Sequence, residues 1–257
     1  EFFSVYLAEK EHEVYCYNSH NHPYQEKTFH GVHILHQHDP EYKYGTFGQF
    51  IYDYNCIMDA RKRDFDIILQ LGYTSNSIWF FLMPKKAINI INMDGLEWKR
   101  SKYSWPIQQF LKVAEWLAAR SGDYLVADSL GIQSFLKKTY KKESTYIAYG
   151  AHLFDTPNES ILQQYQVEKD GFNMVMARFE PENNLDMVLE GVALNKEDQT
   201  PILVIGKHET KYGAYLKNKF KDFYCNLRVQ QVIFIPTRLI FKNRDLPCPR
   251  QVLHSSC

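Results

Sequence analysis

The chain has 257 residues, of which 45% are hydrophobic and 15% aromatic, and its 30 basic side chains balance its 30 acidic ones. This composition predicts a folded globular protein and excludes a strong overall field that would attract nucleic acid or an anionic membrane. The five cysteines form no C-x-x-C pair, which favours reduced thiols in the cytoplasm, and no apolar run is long enough to span a bilayer.

Apolar spacing divides the first 86 residues into alternating helices and strands. Helices are predicted at residues 1–10, 46–63 and 75–83. Strands are predicted at residues 13–18, 31–37 and 66–72, the last of them buried. Because the sequence opens inside a helical pattern, without Met and without a capping residue, we expect that a preceding segment is missing.

Residues 87–129 form the stretch around which the chain is organised, with the pattern of a strand, a loop, a helix and a second strand. The strand AINIIN ends at Asp94-Gly95, and the polar loop LEWKRSKYS follows it. Ser104 is predicted to cap the helix, and Gly122 is predicted to end it before the strand DYLVADS. The predicted buried face of this helix consists of Ile107, Phe110, Leu111, Ala114 and Leu117.

The alternation continues to the end of the first half and restarts after a polar segment at residues 152–171. Further helices are predicted at residues 131–142, 184–195 and 212–220. Further strands are predicted at residues 144–150, 173–177, 201–205 and 229–235. The polar segment is the predicted boundary between two domains, since it interrupts two runs of strand and helix.

These patterns predict an α/β fold with two Rossmann-like domains, the second of them incomplete. The first domain spans residues 1–155 and the second residues 171–226. Residues 227–257 contain three prolines and no helical period, which predicts an unrelated or disordered tail. The cleft between the domains is expected to be lined by the strand ends at Gly72, Asp94, Gly150, Arg178 and Gly206.

Common catalytic and nucleotide motifs are absent from the sequence. Neither G-x-G-x-x-G nor a P-loop is present, and no G-x-S-x-G elbow appears. Six histidines lie between His20 and His38, but their spacing on loops and strands does not suit a zinc site. We therefore interpret them as surface and strand-end histidines.

Four polar clusters follow predicted strands, at the edge where open α/β sheets bind ligands. They lie at residues 94–100, 148–152, 178–184 and 206–211, and ordinary solvated loops and turns are the alternative interpretation. Arg178 precedes a helix N-terminus, and Lys207 and Lys211 follow the next strand. Arginine beside free backbone N–H groups is a common way to hold a diphosphate, so these two loops favour an anionic ligand.

Four segments, MDGLEWKRSKYS, DYLVADSLGI, YIAYGA and ARFEPENN, occur in this order and spacing. With them the chain resembles the family-4 glycosyltransferases of GT-B fold, specifically the bacterial rhamnosyltransferase-like group that begins with a domain of unknown function. The resemblance covers residues 1–226. It implies two Rossmann-like domains that face each other, with the sugar nucleotide on the C-terminal one and the acceptor on the N-terminal one. It also implies no metal cofactor, because protein cations neutralise the leaving diphosphate.

The resemblance implies that Arg178 contacts the donor diphosphate. The lysine that many family members carry five residues later is Asn183 here. The expected donor-binding set is completed by Glu182, Asn183, Gly206, Lys207 and Lys211. On the acceptor side we expect Asp94 and Glu97 to be catalytic. The expected acceptor-binding residues are Gly72, Tyr73, Lys99, Arg100 and Gly150.

The expected function is transfer of a rhamnose-like sugar from a nucleotide diphosphate donor to a saccharide or lipid-linked acceptor of surface-polysaccharide synthesis. The protein is expected in the cytoplasm, and peripheral contact with the inner face of the cytoplasmic membrane is left open. The family's glycine-rich first loop and its donor-binding E-x7-E segment are not found where the resemblance requires them. This favours a truncated chain that is inactive alone, and it supports an alternative, a non-catalytic remnant that binds sugar nucleotide or acceptor.

Overall fold

The computed structural model describes residues 2–100, 102–151, 158–195, 197, 200–221 and the backbone of Val232–Ile235. The chain divides into two compact units, the first formed by Glu1–Gly150 and the second starting at Ala151. Each unit contains parallel strands with helices between them, so the predicted α/β fold class is confirmed.

The first unit opens with a helix and a three-stranded sheet. In chain order its elements are α1 (Phe2–Glu9), β1 (Tyr15–Ser19), β2 (Thr28–Phe29), β3 (Val32–Gln37), α2 (Glu41–Tyr44) and α3 (Phe47–Ala60). β3 lies between β1, to which it is parallel, and β2, to which it is antiparallel. The pattern predicts all of these elements except β2 and α2, which are too short to show a period.

A four-stranded parallel sheet follows in the same unit, with its strands side by side in chain order. The strands are β4 (Ile67–Gln70), β5 (Ile88–Asn92), β6 (Tyr124–Ala127) and β7 (Thr145–Tyr146). The connections contain a 3-10 helix (Ser77–Leu82), a second one (Glu97–Lys99), α4 (Trp105–Ser121) and α5 (Leu130–Tyr140). Because the strands are parallel, their carboxyl ends lie along one edge of the sheet.

Two predictions for this sheet are wrong in detail. β4 is not buried, since the side chains of Ile67 and Leu69 are 56% and 38% exposed. They share one face of a strand at the end of the four-stranded sheet, and this face is left partly uncovered. β7 spans Thr145 and Tyr146, so it is much shorter than predicted.

α4 packs on the sheet through small side chains. Ala114, Ala118 and Ala119 are fully buried beside Ile91 of β5. Leu111 and Ala114 of the predicted face are buried, whereas Ile107, near the start of the helix, is 45% exposed.

The ends of α4 fall where the sequence predicts them. Gly122 ends the helix, and a Cβ atom there would lie 2.8 Å from Leu125 Cδ2, so the close approach to the sheet suits glycine. Ser104 stands at the N-cap position, but its side chain makes no capping hydrogen bond.

A half-buried carboxyl group joins α3 to the loop after β4. The hydroxyl of Ser75 donates to Asp53 Oδ2 at 2.5 Å. Burial raises the pKa of Asp53 from 3.8 to about 6, the Ser75 hydrogen bond opposes this shift, and the charge of Asp39 adds to it. Asp53 therefore binds a proton more tightly in the folded than in the unfolded chain.

This shift predicts a pH-dependent loss of stability. The contribution of Asp53 is complete below pH 3.8, the unfolded value, and is lost as the pH rises through about 6. Between about pH 3.5 and about pH 7.5, the titration of Asp53 should lower the free energy of unfolding of the wild type by about 2–3 kcal/mol. We expect the Asp53→Asn variant to lack this part of the pH dependence. Urea denaturation at both pH values measures it, with Asp66→Asn as a control at an exposed site. Equal pH dependence of Asp53→Asn and the wild type would contradict the assignment.

The second unit is a smaller parallel sheet with its own core. In chain order its elements are α6 (Ser160–Gln164), β8 (Asn173–Met176), a 3-10 helix (Pro181–Asn183), α7 (Leu185–Leu194), β9 (Ile202–Ile205), α8 (Lys211–Lys219) and β10 (Val232–Ile235). β9 lies in the centre, parallel to both β8 and β10, and all four of its residues are buried. Phe179, Leu189 and Leu216 pack against it from the loop after β8 and from the two helices.

The predicted tail at residues 227–257 lies almost entirely outside the described residues. Within it, the structure describes the backbone of β10, which pairs in parallel register with β9 from Val232 to Ile235. The strand predicted at residues 229–235 is therefore confirmed over its last four residues.

Candidate functional site

The predicted acceptor-side residues gather at the carboxyl edge of the four-stranded sheet. Gly72 and Tyr73 follow β4, Asp94 follows β5, and Gly150 lies a few residues after β7. The backbone N–H of Met93 donates to the carbonyl of Val126 at 2.8 Å, which carries the pairing of β5 and β6 up to Asp94. Residues that are 78 positions apart in sequence thus belong to one edge.

Asp94 holds an unusual position in the loop after β5. It is 4% exposed, and its φ of 21° lies outside the regions that most L-residues adopt. Strained backbone of this kind tends to persist where the surrounding structure enforces it, and it clusters at active sites. The strain is therefore consistent with a functional role for Asp94, which is a sequence-based prediction.

Glu97 and Arg100, predicted as a catalytic and an acceptor-binding residue, form an ion pair with each other. Arg100 Nε lies 3.2 Å from Glu97 Oε1, and the two side chains are 18% and 1% exposed. A buried carboxylate needs such a partner. Lys99, between them, is exposed, and its ammonium group lies 5.4 Å from the centre of the Trp98 ring.

Tyr73 is buried and holds the backbone of this loop. It is 1% exposed, and its hydroxyl lies 2.9 Å from the carbonyl oxygen of Gly95. The N–H of Glu97 donates to the same hydroxyl at 3.4 Å. Burial and the charge of Glu115 raise the pKa of Tyr73, so the hydroxyl stays protonated. In this arrangement Tyr73 supports the loop after β5 from within the core.

Glu115 belongs to this site but is absent from the sequence-based set. It is 1% exposed, and its carboxylate accepts hydrogen bonds from Trp98 Nε1 at 3.2 Å and from the Tyr140 hydroxyl at 2.6 Å. Burial raises its pKa, and these hydrogen bonds act in the opposite direction. The sequence does contain a feature that singles out Glu115. Leu111, Glu115 and Ala118 share one helical face, and a glutamate within an apolar stripe is unusual.

The predicted donor-side residues lie at the carboxyl edge of the second sheet. Arg178 follows β8 and Lys207 follows β9, and both are exposed. The two strands stay paired up to this edge, where the N–H of Ala177 donates to the carbonyl of Ile205 at 3.0 Å. Lys211 is exposed in the first turn of α8. Three basic side chains therefore follow two neighbouring strands, two of them in the strand-end loops and the third at the start of α8.

Asn183 and Glu182 lie in the 3-10 helix that leads into α7. The amide of Asn183 donates to the backbone carbonyl of Arg178 at 2.7 Å, so Asn183 closes the loop that carries the arginine. Glu182 is half-buried. Thr210 caps α8 by accepting from the N–H of Gly213, and its hydroxyl lies 3.4 Å from the carbonyl of Phe179.

Gly206 is needed for the close contact between the loops after β8 and β9. A Cβ atom there would lie 2.2 Å from the carbonyl oxygen of Ala177 and 2.8 Å from Phe179 Cε2. Both distances are shorter than van der Waals contact. Because glycine has no side chain, it allows the loops after β8 and β9 to pack closely at position 206.

We expect Gly206→Ala to destabilise the second unit by about 1–3 kcal/mol, because the added methyl group must push the two loops apart. Chemical denaturation followed by circular dichroism measures this. Gly191→Ala in α7 is the matched control: its Cβ would meet nothing within 4 Å, and alanine favours a helix. Equal stability of the Gly206→Ala variant and the wild type would contradict the tight packing.

The histidine-rich segment makes ordinary structural contacts. His20 Nδ1 accepts from the N–H of Asp39 at 2.9 Å, and the His20 and His38 rings lie 4.8 Å apart. Among the residues that the structure describes, no three His, Cys, Asp or Glu side chains are placed to hold a metal ion. Of the described helices, none combines the length and the hydropathy needed to cross a bilayer.

Comparison with known proteins finds a domain family that matches part of the chain and a solved structure with a similar fold. Residues 80–152, which include β5, its loop and α4, match DUF1972, a domain family of unknown function. Among solved structures, the chain is similar to HepE (Alr3699) from Anabaena, in complex with UDP and glucose, with a TM-score of 0.58 and 17% identity. The similarity covers 80% of this chain and 56% of HepE, so the chain spans little more than half of HepE's length. No curated protein matches the sequence.

Proposed function

We propose that this protein is a glycosyltransferase that moves a sugar from a nucleotide diphosphate donor to a saccharide acceptor. The observation that carries the proposal is the pair of basic loops at neighbouring strand ends, with Arg178 and Lys207, in a chain whose fold is similar to that of HepE. HepE was crystallised with UDP and glucose, the two parts of a nucleotide sugar. A nucleotide sugar is therefore the class of donor we propose here.

The donor side supplies positive charge for the leaving diphosphate. Arg178, Lys207 and Lys211 are exposed side chains that can reach an anion at this edge. Charge builds up on the leaving group in the transition state, and fixed cations stabilise it there. We propose that these residues, together with backbone N–H groups at the start of α7, do this without a metal ion.

The acceptor side supplies a carboxylate beside a strained turn. Asp94, which follows β5, is proposed to orient or deprotonate the acceptor hydroxyl. Glu97 and Arg100 are proposed to act together as an ion pair that supports this turn, and Lys99 adds an exposed positive charge. The resemblance to rhamnosyltransferase-like enzymes favours a rhamnose-like sugar and an acceptor of surface-polysaccharide synthesis. We propose a cytoplasmic protein that reaches lipid-linked acceptors at the inner membrane face.

A donor screen tests the proposal. The protein is incubated with UDP-, GDP- and dTDP-linked sugars, dTDP-rhamnose included, and calorimetry measures the binding of UDP, GDP and dTDP alone. We expect one nucleotide diphosphate to bind and the matching sugar nucleotide to be consumed when a saccharide acceptor is added, which would overturn the expectation of an inactive chain. Failure of every nucleotide diphosphate to bind would refute a donor site, and binding without turnover of any donor would favour the alternative, a non-catalytic protein that binds sugar nucleotide.

A further inference from the structure

We propose that Glu115 is a positioning residue that fixes the conformation of the loop at residues 94–100. The inference goes beyond the loop residues themselves, because Glu115 lies on α4, outside the loop. Its effect on turnover rests on the proposed function, whereas its effect on the loop conformation does not.

The carboxylate of Glu115 joins three parts of the first unit. Oε1 accepts from the hydroxyl of Tyr140, at the end of α5, at 2.6 Å. Oε2 accepts from Nε1 of Trp98, inside the loop, at 3.2 Å. The hydroxyl of Tyr73, after β4, lies 3.3 Å from the same oxygen. One buried side chain thus links the loop to its neighbours on both sides.

Tyr73 extends this link to the loop backbone. Its hydroxyl is 2.9 Å from the carbonyl of Gly95 and accepts from the N–H of Glu97 at 3.4 Å. The backbone is therefore held on both sides of Leu96, and the first of these contacts is at Gly95, the residue next to Asp94. Since Glu115 holds Tyr73 and Trp98 together, it acts on the position of Asp94 through them.

The contacts explain why a hydrogen-bond acceptor is required at position 115. The indole N–H of Trp98 can only donate, while a tyrosine hydroxyl can donate and accept. Leucine at position 115 would fill a similar volume but leave the Trp98 donor without its acceptor. Glutamine can still accept from Trp98 with its oxygen and donate to the Tyr140 hydroxyl with its amide. Glu115 is 1% exposed, so it supports the loop without touching a substrate.

The test compares Glu115→Leu with Glu115→Gln, in protein labelled with 5-fluorotryptophan. The chain contains four tryptophans, and a Trp98→Phe variant assigns the fluorine resonance of Trp98. We expect the leucine variant to shift or broaden this resonance and the glutamine variant to keep it. In the proposed enzyme, turnover of the leucine variant should fall about 10- to 100-fold, with nucleotide affinity within about twofold.

Two further variants keep the test decisive. Gln109→Leu makes a similar polar-to-apolar change on α4, away from these contacts, and should leave the Trp98 resonance unchanged. Should Glu115→Leu fail to fold, Tyr140→Phe removes one donor to the carboxylate, and a smaller shift of the same resonance is expected. An unshifted Trp98 resonance in the folded leucine variant, or in Tyr140→Phe, would overturn the proposal. A wild type without transferase activity would refute the proposed function, while the resonance would still decide the role of Glu115.

Discussion

Asp94→Asn is expected to lower the turnover of the proposed glycosyltransferase about 10²- to 10⁴-fold, the usual contribution of a general base. The substitution removes the charge and keeps the shape of the side chain. Asparagine also tolerates positive φ, as aspartate does, so the 21° backbone angle does not need to change. The affinity for the nucleotide diphosphate should stay close to that of the wild type, since the donor is proposed to bind the second unit.

Steady-state kinetics with the donor found in the screen, together with calorimetry, measures these two quantities separately. Asp66→Asn is the matched control, because Asp66 is exposed and lies at the opposite, amino end of β4. Unchanged turnover of the Asp94→Asn protein would assign the loop a purely structural role. An equal loss in the Asp66→Asn control would show that the effect is not specific to the site.

Arg178→Ala is expected to weaken binding of the nucleotide diphosphate about 10- to 100-fold, which corresponds to about 1.5–3 kcal/mol for a charge-assisted hydrogen bond. Arg178 is exposed, and Asn183 is bonded to its backbone carbonyl, so its loop should keep its shape after truncation. The free energy of unfolding should change by less than about 1 kcal/mol, because a contact made by an exposed side chain contributes little.

Calorimetric titration with the preferred nucleotide diphosphate measures the affinity, and it should be repeated at higher salt, where a charge contact weakens. Arg120→Ala serves as the control, because Arg120 is an exposed arginine on α4 of the first unit. Equal dissociation constants for the wild type and Arg178→Ala would remove Arg178 from the donor site.

The alternation of helices and strands could be predicted from the sequence because its causes are local. The apolar runs at residues 87–92 and 201–205 form strands of parallel sheets, and Gly122 ends a helix as predicted. The burial of β4 could not be predicted in this way, since its apolar pattern is the same whether a neighbouring element covers it or not. Its exposure depends on its place at the end of the four-stranded sheet.

The candidate site could be predicted only in part. Parallel strands bring their carboxyl ends to one edge, so the pattern was sufficient to expect Asp94 beside Gly72, and Arg178 beside Lys207. The side-chain contacts inside these loops could not be predicted from the pattern. Glu97 and Arg100 are paired with each other, and the amide of Asn183 binds the Arg178 carbonyl.

The sequence by itself determined the fold class and the loops in which polar side chains follow strands, because period and strand ends are properties of neighbouring residues. Only the tertiary structure decided that Glu115 of α4 meets Tyr73, Trp98 and Tyr140 around one carboxylate. Those donors stand up to 42 positions away along the chain, and a hydrogen bond between distant residues exists only once the packing of the helices and the sheet has brought them together.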